Sequence, residues 1–202
     1  MTDEELMLAV CNGDQSAYQT LVRQHLKPIS HYAYRILGNR RDTEDITQEV
    51  FLKMWINAAN WNPEKSKLTT WLHRIAHNLC IDHLRKHSKT QVRADIDDTH
   101  SELLSAEHKG DDVEQAQLSA ALNEAIARLP ENQRSALMLC HYAGFSNRDA
   151  ADIMNISVKA LESNISRARH NLRNWLEEHK QTTSNKAGKV TRKLRGDAET
   201  LG

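Results

Sequence analysis

Hydrophobic residues recur every three or four positions along most of this chain of 202 residues. That spacing places them on one face of an α-helix, whereas the strict alternation typical of a half-buried strand is rare in this sequence. Glycine and proline are few within the periodic stretches, so the helices can continue for several turns. The pattern therefore predicts an all-α fold.

Capping signals divide the first half of the chain into four predicted helices. Thr2 and Glu5 form a capping box for the first helix, and Asp14 is placed to cap the second. Pro28 is predicted to kink or interrupt the second helix. The four helices are predicted at about residues 3–12, 15–38, 43–59 and 69–86. The faces predicted to be buried include Ile46, Val50, Phe51, Met54 and Trp55 in the third helix, and Leu72, Ile75, Ala76 and Leu79 in the fourth.

Charge divides the chain into segments, although the totals balance at 27 basic and 27 acidic residues. Residues 88–112 lose helical periodicity and are strongly acidic, which predicts a flexible linker. Periodicity returns at Val113, and residues 178–202 are basic and lack a hydrophobic stripe. We therefore predict two helical domains, at residues 1–87 and 113–177, joined by the acidic linker and followed by a disordered basic tail.

The sequence shows no feature of a membrane or secreted protein. No apolar run approaches the roughly 18 residues that a membrane-spanning helix requires, and the N-terminus lacks a signal-peptide pattern. Cys11, Cys80 and Cys140 are widely spaced and odd in number, which favours reduced, mostly buried thiols over a disulfide framework. These features predict a cytoplasmic protein without membrane insertion.

The segment from residue 146 to 172 has the pattern of two short helices joined by a tight turn. Ser146 and Ser157 are placed to cap the two helices, and Asn155 tolerates the left-handed backbone conformation that such a turn needs. A helix that presents polar and basic groups beyond a tight turn suits the major groove of DNA. An ordinary pair of packed helices with a solvated face is the alternative. The residues predicted to point outward from the second helix are Lys159, Glu162, Ser163, Ser166 and Arg167.

One side of the third predicted helix is acidic. Asp42, Asp45 and Glu49 lie three and four positions apart, with Gln48 beside them, so their side chains share one face. This edge suits docking against a basic helical partner. A merely solvated acidic face would have the same pattern.

The fourth predicted helix carries a strip of polar and aromatic residues outside its buried face. The strip adjoins a lysine-rich loop at about residues 60–67. Aromatic, amide and guanidinium groups on one strip are typical of surfaces that stack and hydrogen-bond unstacked bases. In the alternative interpretation, the tryptophan belongs to the core and the arginines are solvated. The strip consists of Trp71, Arg74, Asn78, Asp82 and Arg85.

Histidines on the fourth helix raise the possibility of a metal site. His73, His77 and Cys80 fall at positions i, i+4 and i+7, near the spacing of metal ligands. No carboxylate completes a catalytic site beside them, so we expect no enzymatic activity, no metal or other cofactor and no small-molecule substrate. A dimeric DNA-binding regulator and a pure interaction module are further alternatives, but residues 3–87 show no βαβ pattern of a ligand-sensing domain.

In their order along the chain, these motifs resemble a bacterial RNA polymerase sigma factor of the small, two-domain extracytoplasmic-function type. The first matching element is the acidic helix around Asp45, and the second is Thr-Trp-Leu-x-Arg-Ile-Ala-x-Asn at residues 70–78. The acidic linker, Leu-Pro-x-x-x-Arg at residues 129–134 and a helix-turn-helix ending in Ser-Arg-Ala-Arg follow. The resemblance covers about residues 3–177.

The resemblance implies a protein that selects promoters for core RNA polymerase and is held in check by an anti-sigma factor. The first domain would bind core polymerase through Asp42, Asp45, Gln48 and Glu49. The same domain would read the promoter's −10 element and aid melting through Trp61, Lys65, Lys67, Trp71, Arg74, Asn78, Asp82 and Arg85. The second domain would read the −35 element through Arg148, Ser157, Lys159, Glu162, Ser163, Ser166, Arg167 and Arg169.

Two features depart from many relatives. The chain continues for about 25 residues beyond the second domain, and this extension contains a basic cluster at residues 186–195. The loop at residues 60–69 is rich in lysine, so its base preference cannot be taken from relatives.

Overall fold

The computed structural model describes the backbone of residues 1–90 and 122–199, and the side chains of residues 1–87 and 122–178. Within these ranges every regular element is helical, which confirms the predicted all-α fold. None of the helices in these ranges combines the length and the apolar character needed to cross a bilayer. Residues 91–121, which contain most of the predicted linker and the predicted helix start at Val113, lie outside the described residues.

The first domain consists of four α-helices and one short 3₁₀ turn. Helix α2 is central and packs against α1, α3 and α4. Its buried side chains include Leu21, Ile29 and Ile36, each at most 1% exposed. Burying a side chain of this size contributes about 1.5–3 kcal/mol. The helices are α1 (Asp3–Cys11), α2 (Gln15–Leu37), α3 (Arg40–Ile56) and α4 (Leu68–Thr90), and the 3₁₀ turn is Ala58–Asn60.

Local capping chemistry determines where these helices begin and end. In the predicted capping box, the Thr2 backbone N–H donates to Glu5 at 2.8 Å, and the Glu5 N–H donates to Thr2 Oγ1 at 3.3 Å. Asp14 accepts from two backbone N–H groups at the start of α2, as predicted. Gly38 ends α2 with a φ of 79°, a conformation that costs glycine little because it has no Cβ.

The helices of the first domain differ from the prediction at three points. Helix α2 runs through Pro28 without interruption, because Pro28 is exposed and flanked by buried residues that hold both halves of the helix in the core. Helix α3 begins at Arg40 rather than near residue 43, since the Asn39 side chain accepts from the Asp42 N–H and caps it. Helix α4 extends to Thr90, beyond the predicted helix end at about residue 86.

The second domain is built around a helix-turn-helix. Ser146 caps α7 and Ser157 accepts from the Ala160 N–H in the first turn of α8, as predicted. Asn155 between them has a φ of 53°, also as predicted. The helix backbone of α8 continues to Glu199, where the sequence predicts a disordered tail. The elements are α5 at residues 122–127, α6 (Glu131–Leu137), a π-helical turn (Met138–Tyr142), α7 (Asn147–Met154) and α8 (Val158–Glu199).

The two domains pack directly against each other, a contact that the sequence did not predict. The Arg134 guanidinium on α6 donates to the backbone carbonyl of Ile36 in the last turn of α2 at 2.8 Å. Arg35 donates to Asn123 Oδ1 at 3.3 Å and lies 4.5 Å from the centre of the Tyr142 ring. Helices α4 and α7 also pack together, so the buried cores of the two domains are continuous.

All three cysteines are free thiols, as predicted, but only one of them is buried. Cys80 is buried, and burial raises the pKa of its thiol to about 12. Cys11, the last residue of α1, is exposed, and Cys140, in the middle of the π-helical turn, is half-buried.

Candidate functional site

The acidic face of α3 is exposed in the structure. Asp45, Gln48 and Glu49 all point to solvent, while Ile46, Val50 and Phe51 on the opposite side are buried. Glu49 also forms an ion pair with Lys53 at 3.5 Å. The helix thus presents a negatively charged surface that remains accessible to solvent, as docking of a basic partner requires.

Asp42 occupies a different environment from the other three residues of this predicted set. It is half-buried, accepts a hydrogen bond from the Asn39 side chain, and lies 2.9 Å from His83 Nε2 on α4. Burial alone would raise the pKa of Asp42, but the hydrogen bonds from Asn39 and His83 outweigh it and lower the pKa. Its carboxylate therefore ties α3 to α4 and is less available to a partner than that of Asp45.

Two exposed apolar residues extend the acidic face toward the end of α3. Leu52 is 54% exposed and Ile56 is 66% exposed, and they follow Asp45, Gln48 and Glu49 at helical spacing along one side. Neither residue was predicted from the sequence to belong to this surface. Their exposure could have been predicted, because both residues lie outside the hydrophobic stripe formed by Ile46, Val50 and Met54.

On α4 the structure brings most of the predicted strip together on one exposed face. Arg74, Asn78, Asp82 and Arg85 are exposed, while Leu72 on the opposite side is fully buried. Trp71 is only partly exposed and packs against the core, so its role is at least partly structural. The amide, carboxylate and guanidinium groups of the strip are therefore accessible, whereas only part of the indole is.

The loop before α4 is held in shape by its own polar groups. Trp61 Nε1 donates to the Ser66 backbone carbonyl at 3.2 Å, and Asn62 Oδ1 accepts from the Glu64 N–H at 2.8 Å. Lys65 and Lys67 remain exposed beside this closed turn. The loop thus offers two cations on a formed backbone next to the polar strip of α4.

The helix-turn-helix presents its predicted reading face to solvent. Leu161, Ile165 and Ala168 of α8 are buried, so the remaining sides of this helix point outward. The predicted residues that are exposed are Arg148, Ser157, Lys159, Glu162, Ser166, Arg167 and Arg169, and Ser163 is half-buried.

Two of these residues already have polar neighbours within the domain. Glu162 accepts from Asn147 at 3.5 Å, and an Arg169 guanidinium nitrogen lies 2.8 Å from His141 Nε2. Arg169, Arg173 and His141 line one groove beside α8 with the first residues of α7. Cationic groups at such a groove suit contacts with DNA phosphates, which set register without specifying sequence.

The histidines with metal-like spacing take part in other contacts. His73 Nδ1 lies 2.8 Å from the Thr69 carbonyl, and His77 Nδ1 forms a hydrogen bond of 2.9 Å with the Tyr32 hydroxyl. Burial lowers the pKa of each imidazole to about 4. Among residues 1–87 and 122–178, no three histidine, cysteine or acidic side chains are grouped as metal ligands.

Comparisons with known proteins match both domains. Residues 21–90 match the family model for Sigma-70 region 2, and residues 119–172 match the model for Sigma-70, region 4. The chain is 33% identical over 194 residues to the ECF RNA polymerase sigma factor SigE of Mycolicibacterium smegmatis, covering 92% of this chain and 74% of that protein. It is 32% identical to the ECF sigma factor SigW of Bacillus subtilis, covering 84% of this chain and 94% of SigW.

A solved structure shares the fold. The sigma factor RpoE of Bartonella quintana, determined with the anti-sigma factor NepR, superposes with a TM-score of 0.66 at 24% sequence identity. The match covers 79% of this chain and 96% of that one. At this level of identity, the likeness concerns the fold.

Proposed function

We propose that separate surfaces of the two domains carry polymerase binding and promoter recognition. The premise is that this chain belongs to the extracytoplasmic-function type of the sigma-70 family. The protein is a transcription initiation factor, which directs RNA polymerase to promoters while the polymerase performs the chemistry. The observation that supports the proposed division is that three predicted surfaces, on α3, on α4 with its preceding loop, and on α8, are each exposed on a different element. Simultaneous contact with polymerase, −10 DNA and −35 DNA requires such a separation.

We assign polymerase binding to the exposed face of α3. Asp45, Gln48 and Glu49 supply charge for a basic partner, and Leu52 and Ile56 supply an apolar surface beside it. Interfaces commonly combine a central apolar contact with polar groups at the rim. Asp42 contributes mainly by holding the start of α3 against α4.

We assign −35 recognition to α8. A helix in the major groove meets base edges whose donor and acceptor patterns distinguish all four base pairs. Lys159, Glu162, Ser163, Ser166 and Arg167 would face these edges. Arg148 and Arg169 would contact phosphates and set the register of the helix in the groove.

We assign −10 recognition and melting to α4 and the loop before it. Removing a base from the stack costs a few kcal/mol, and stacking on a protein surface returns about 1–3 kcal/mol per base. Arg74, Asn78, Asp82 and Arg85 are placed to contact unstacked bases. Lys65 and Lys67 would attract the backbone of the separated strand, and the partly exposed rings of Trp61 and Trp71 would supply stacking area.

We further infer that an anti-sigma factor controls the protein and that it acts in the cytoplasm, where polymerase and promoters are found. The sigma factor RpoE, which shares the fold, has been determined in a complex with the anti-sigma factor NepR. The compact arrangement of the two domains agrees with a state in which the protein does not yet span a promoter.

The function is tested by run-off transcription with core polymerase, this protein and a library of genomic promoter fragments. We expect transcripts whose start sites share common −35 and −10 elements. A folded protein that binds polymerase but yields no specific transcript would contradict promoter selection.

The division of labour is tested with charge reversal on α3. We expect Asp45→Arg with Glu49→Arg to abolish the pull-down of core polymerase without unfolding the chain. Asp152→Arg with Glu177→Arg introduces the same change in net charge at exposed positions of the second domain and should leave the pull-down unchanged. Normal polymerase capture by the α3 variant would refute the assignment.

A further inference from the structure

His73 lies at the contact between the two domains. It is on α4, is only 4% exposed, and occupies a position that the family motif at residues 70–78 leaves open. Its ring meets the Tyr32 ring of the first domain at 5.6 Å between centroids and the Phe145 ring of the second domain at 4.8 Å. The second domain therefore closes over this imidazole.

The hydrogen bonding of His73 leaves one of its two ring nitrogens without a partner among the described residues. Nδ1 is 2.8 Å from the Thr69 carbonyl, which can only accept, so Nδ1 carries the hydrogen. Nε2 is buried and has no hydrogen-bond partner among the described residues. A proton added to Nε2 would place a charged N–H group in a buried position without an acceptor, which is costly.

Burial disfavours a positive charge on His73 more than the hydrogen bond to the Thr69 carbonyl favours it, and the other groups around the ring offer little further compensation. His25 on α2 acts electrostatically against protonation of His73. A cavity of about 670 Å³ adjoins the ring. Its titratable and charged lining groups are Lys27, His31, Tyr32 and Arg35 from α2, Lys67 from the loop before α4, Tyr142 from the π-helical turn, and Asp149 from α7.

Asp149 is the one carboxylate in this set, and it is already engaged. It lies 2.7 Å from Ser146 Oγ and belongs to the cap of α7. The surroundings of His73 are therefore predominantly cationic, and the nearest acid serves the second domain's own fold.

We propose that His73 makes the packing of the two domains sensitive to pH, so that its protonation releases the second domain from the first. The released chain would expose His73, Tyr32 and Phe145 to water while each domain keeps its helices. This inference concerns the free chain and goes beyond the proposed function, because it holds whichever promoter the protein reads.

The coupling between protonation of His73 and release of the second domain determines how strongly release depends on pH. Burial lowers the pKa of His73 to about 4 in the packed state, against an ordinary value of 6.5 for a solvated imidazole. A group whose pKa is lowered in the packed state stabilises that state above pH 6.5, and this contribution is lost as the pH falls toward 4. If the second domain causes the full shift, the equilibrium for release rises about tenfold between pH 7.5 and pH 5.5.

His77 also titrates with a lowered pKa, but its position differs. It forms its hydrogen bond with Tyr32 inside the first domain. Its protonation would weaken the first domain itself, and the experiment must separate this effect from release.

The deciding measurement is an NMR titration of the histidine side chains in the full chain and in Phe145→Ala. We expect the His73 pKa to be at least one unit higher in Phe145→Ala, which corresponds to at least tenfold coupling. His77 should shift much less and serves as the internal control. Equal His73 pKa values in the two proteins would overturn the proposal.

Release itself is tested by small-angle X-ray scattering between pH 7.5 and pH 5.5. The Arg134→Ala background is used because it weakens the contact and raises the open population. In this background we expect the radius of gyration to increase on acidification. It should stay constant on acidification when His73→Gln is added. The control His31→Gln should leave the increase unchanged. Circular dichroism should show unchanged helicity. Helix loss at the same pH, or growth that persists with His73→Gln, would refute a His73-controlled release.

Discussion

Asp42 and Asp45 are separated by less than one turn of α3, yet their carboxylates have different neighbours. Asp42 meets Asn39 and His83, whereas Asp45 points to solvent. Helical spacing correctly placed both residues on the polar side of α3. It could not reveal that a histidine from α4, 41 positions away along the chain, reaches only one of them.

The two aspartates should therefore respond differently to truncation. Asp45→Ala should weaken core polymerase binding by roughly tenfold, because a close charge pair across an interface contributes about 1.5 kcal/mol or more, with little change in stability. Asp42→Ala should lower the free energy of unfolding by about 1 kcal/mol, because it loses a favourable helix N-terminal charge and the pair with His83. Its effect on polymerase affinity should be smaller. Polymerase binding and urea denaturation of both variants measure this, and a reversed order would contradict our reading of Asp42.

At the scale of elements, the predictions succeeded where the physical signal is local. Caps at Thr2, Asp14, Ser146 and Ser157 were predicted because a side chain bonds a backbone N–H two or three residues away. The predicted interruption at Pro28 was wrong because the cost of proline is also local, while the burial that outweighs it comes from packing against other helices. The exposed faces of α4 and α8 followed from periodicity, but the partial burial of Trp71 depends on tertiary packing.

The turn of the helix-turn-helix provides a test at this scale. Asn155 has a φ of 53°, a left-handed conformation that costs most residues with a Cβ roughly 1–2 kcal/mol. Asparagine and aspartate adopt it more easily, and glycine, which has no Cβ, adopts it freely. Asn155→Ala should destabilise the second domain by about 1 kcal/mol and weaken −35 binding through misplacement of α8. Asn155→Gly should keep wild-type stability within a few tenths of a kcal/mol. Thermal unfolding compares the two, and equal destabilisation would show that the backbone conformation is not the cause.

At the scale of the molecule, the packing of the two domains could not be predicted from the sequence. The contact joins residues far apart along the chain, such as Arg134 and Ile36, and no periodic pattern specifies such a pair. The motif Leu-Pro-x-x-x-Arg did identify Arg134 as part of the family resemblance. Only the structure reveals that its guanidinium reaches the end of α2 in the other domain.

Arg134 should therefore contribute more to stability than other arginines of the second domain. Its guanidinium donates to the carbonyls of Ile36 and Leu129 at 2.8 and 3.2 Å, and the first of these lies at the negative end of the α2 dipole. Arg134→Ala leaves both acceptors without this donor and should lower the free energy of unfolding by about 2 kcal/mol, within the range for hydrogen bonds to charged groups. The second domain should then unfold at lower urea concentration than the first.

Arg128→Ala is the matched control, because Arg128 forms an exposed pair with Glu124 at 2.9 Å and such pairs contribute at most about 1 kcal/mol. Equal losses in the two variants, with coincident unfolding of both domains, would show that the Arg134 contact does not hold the domains together.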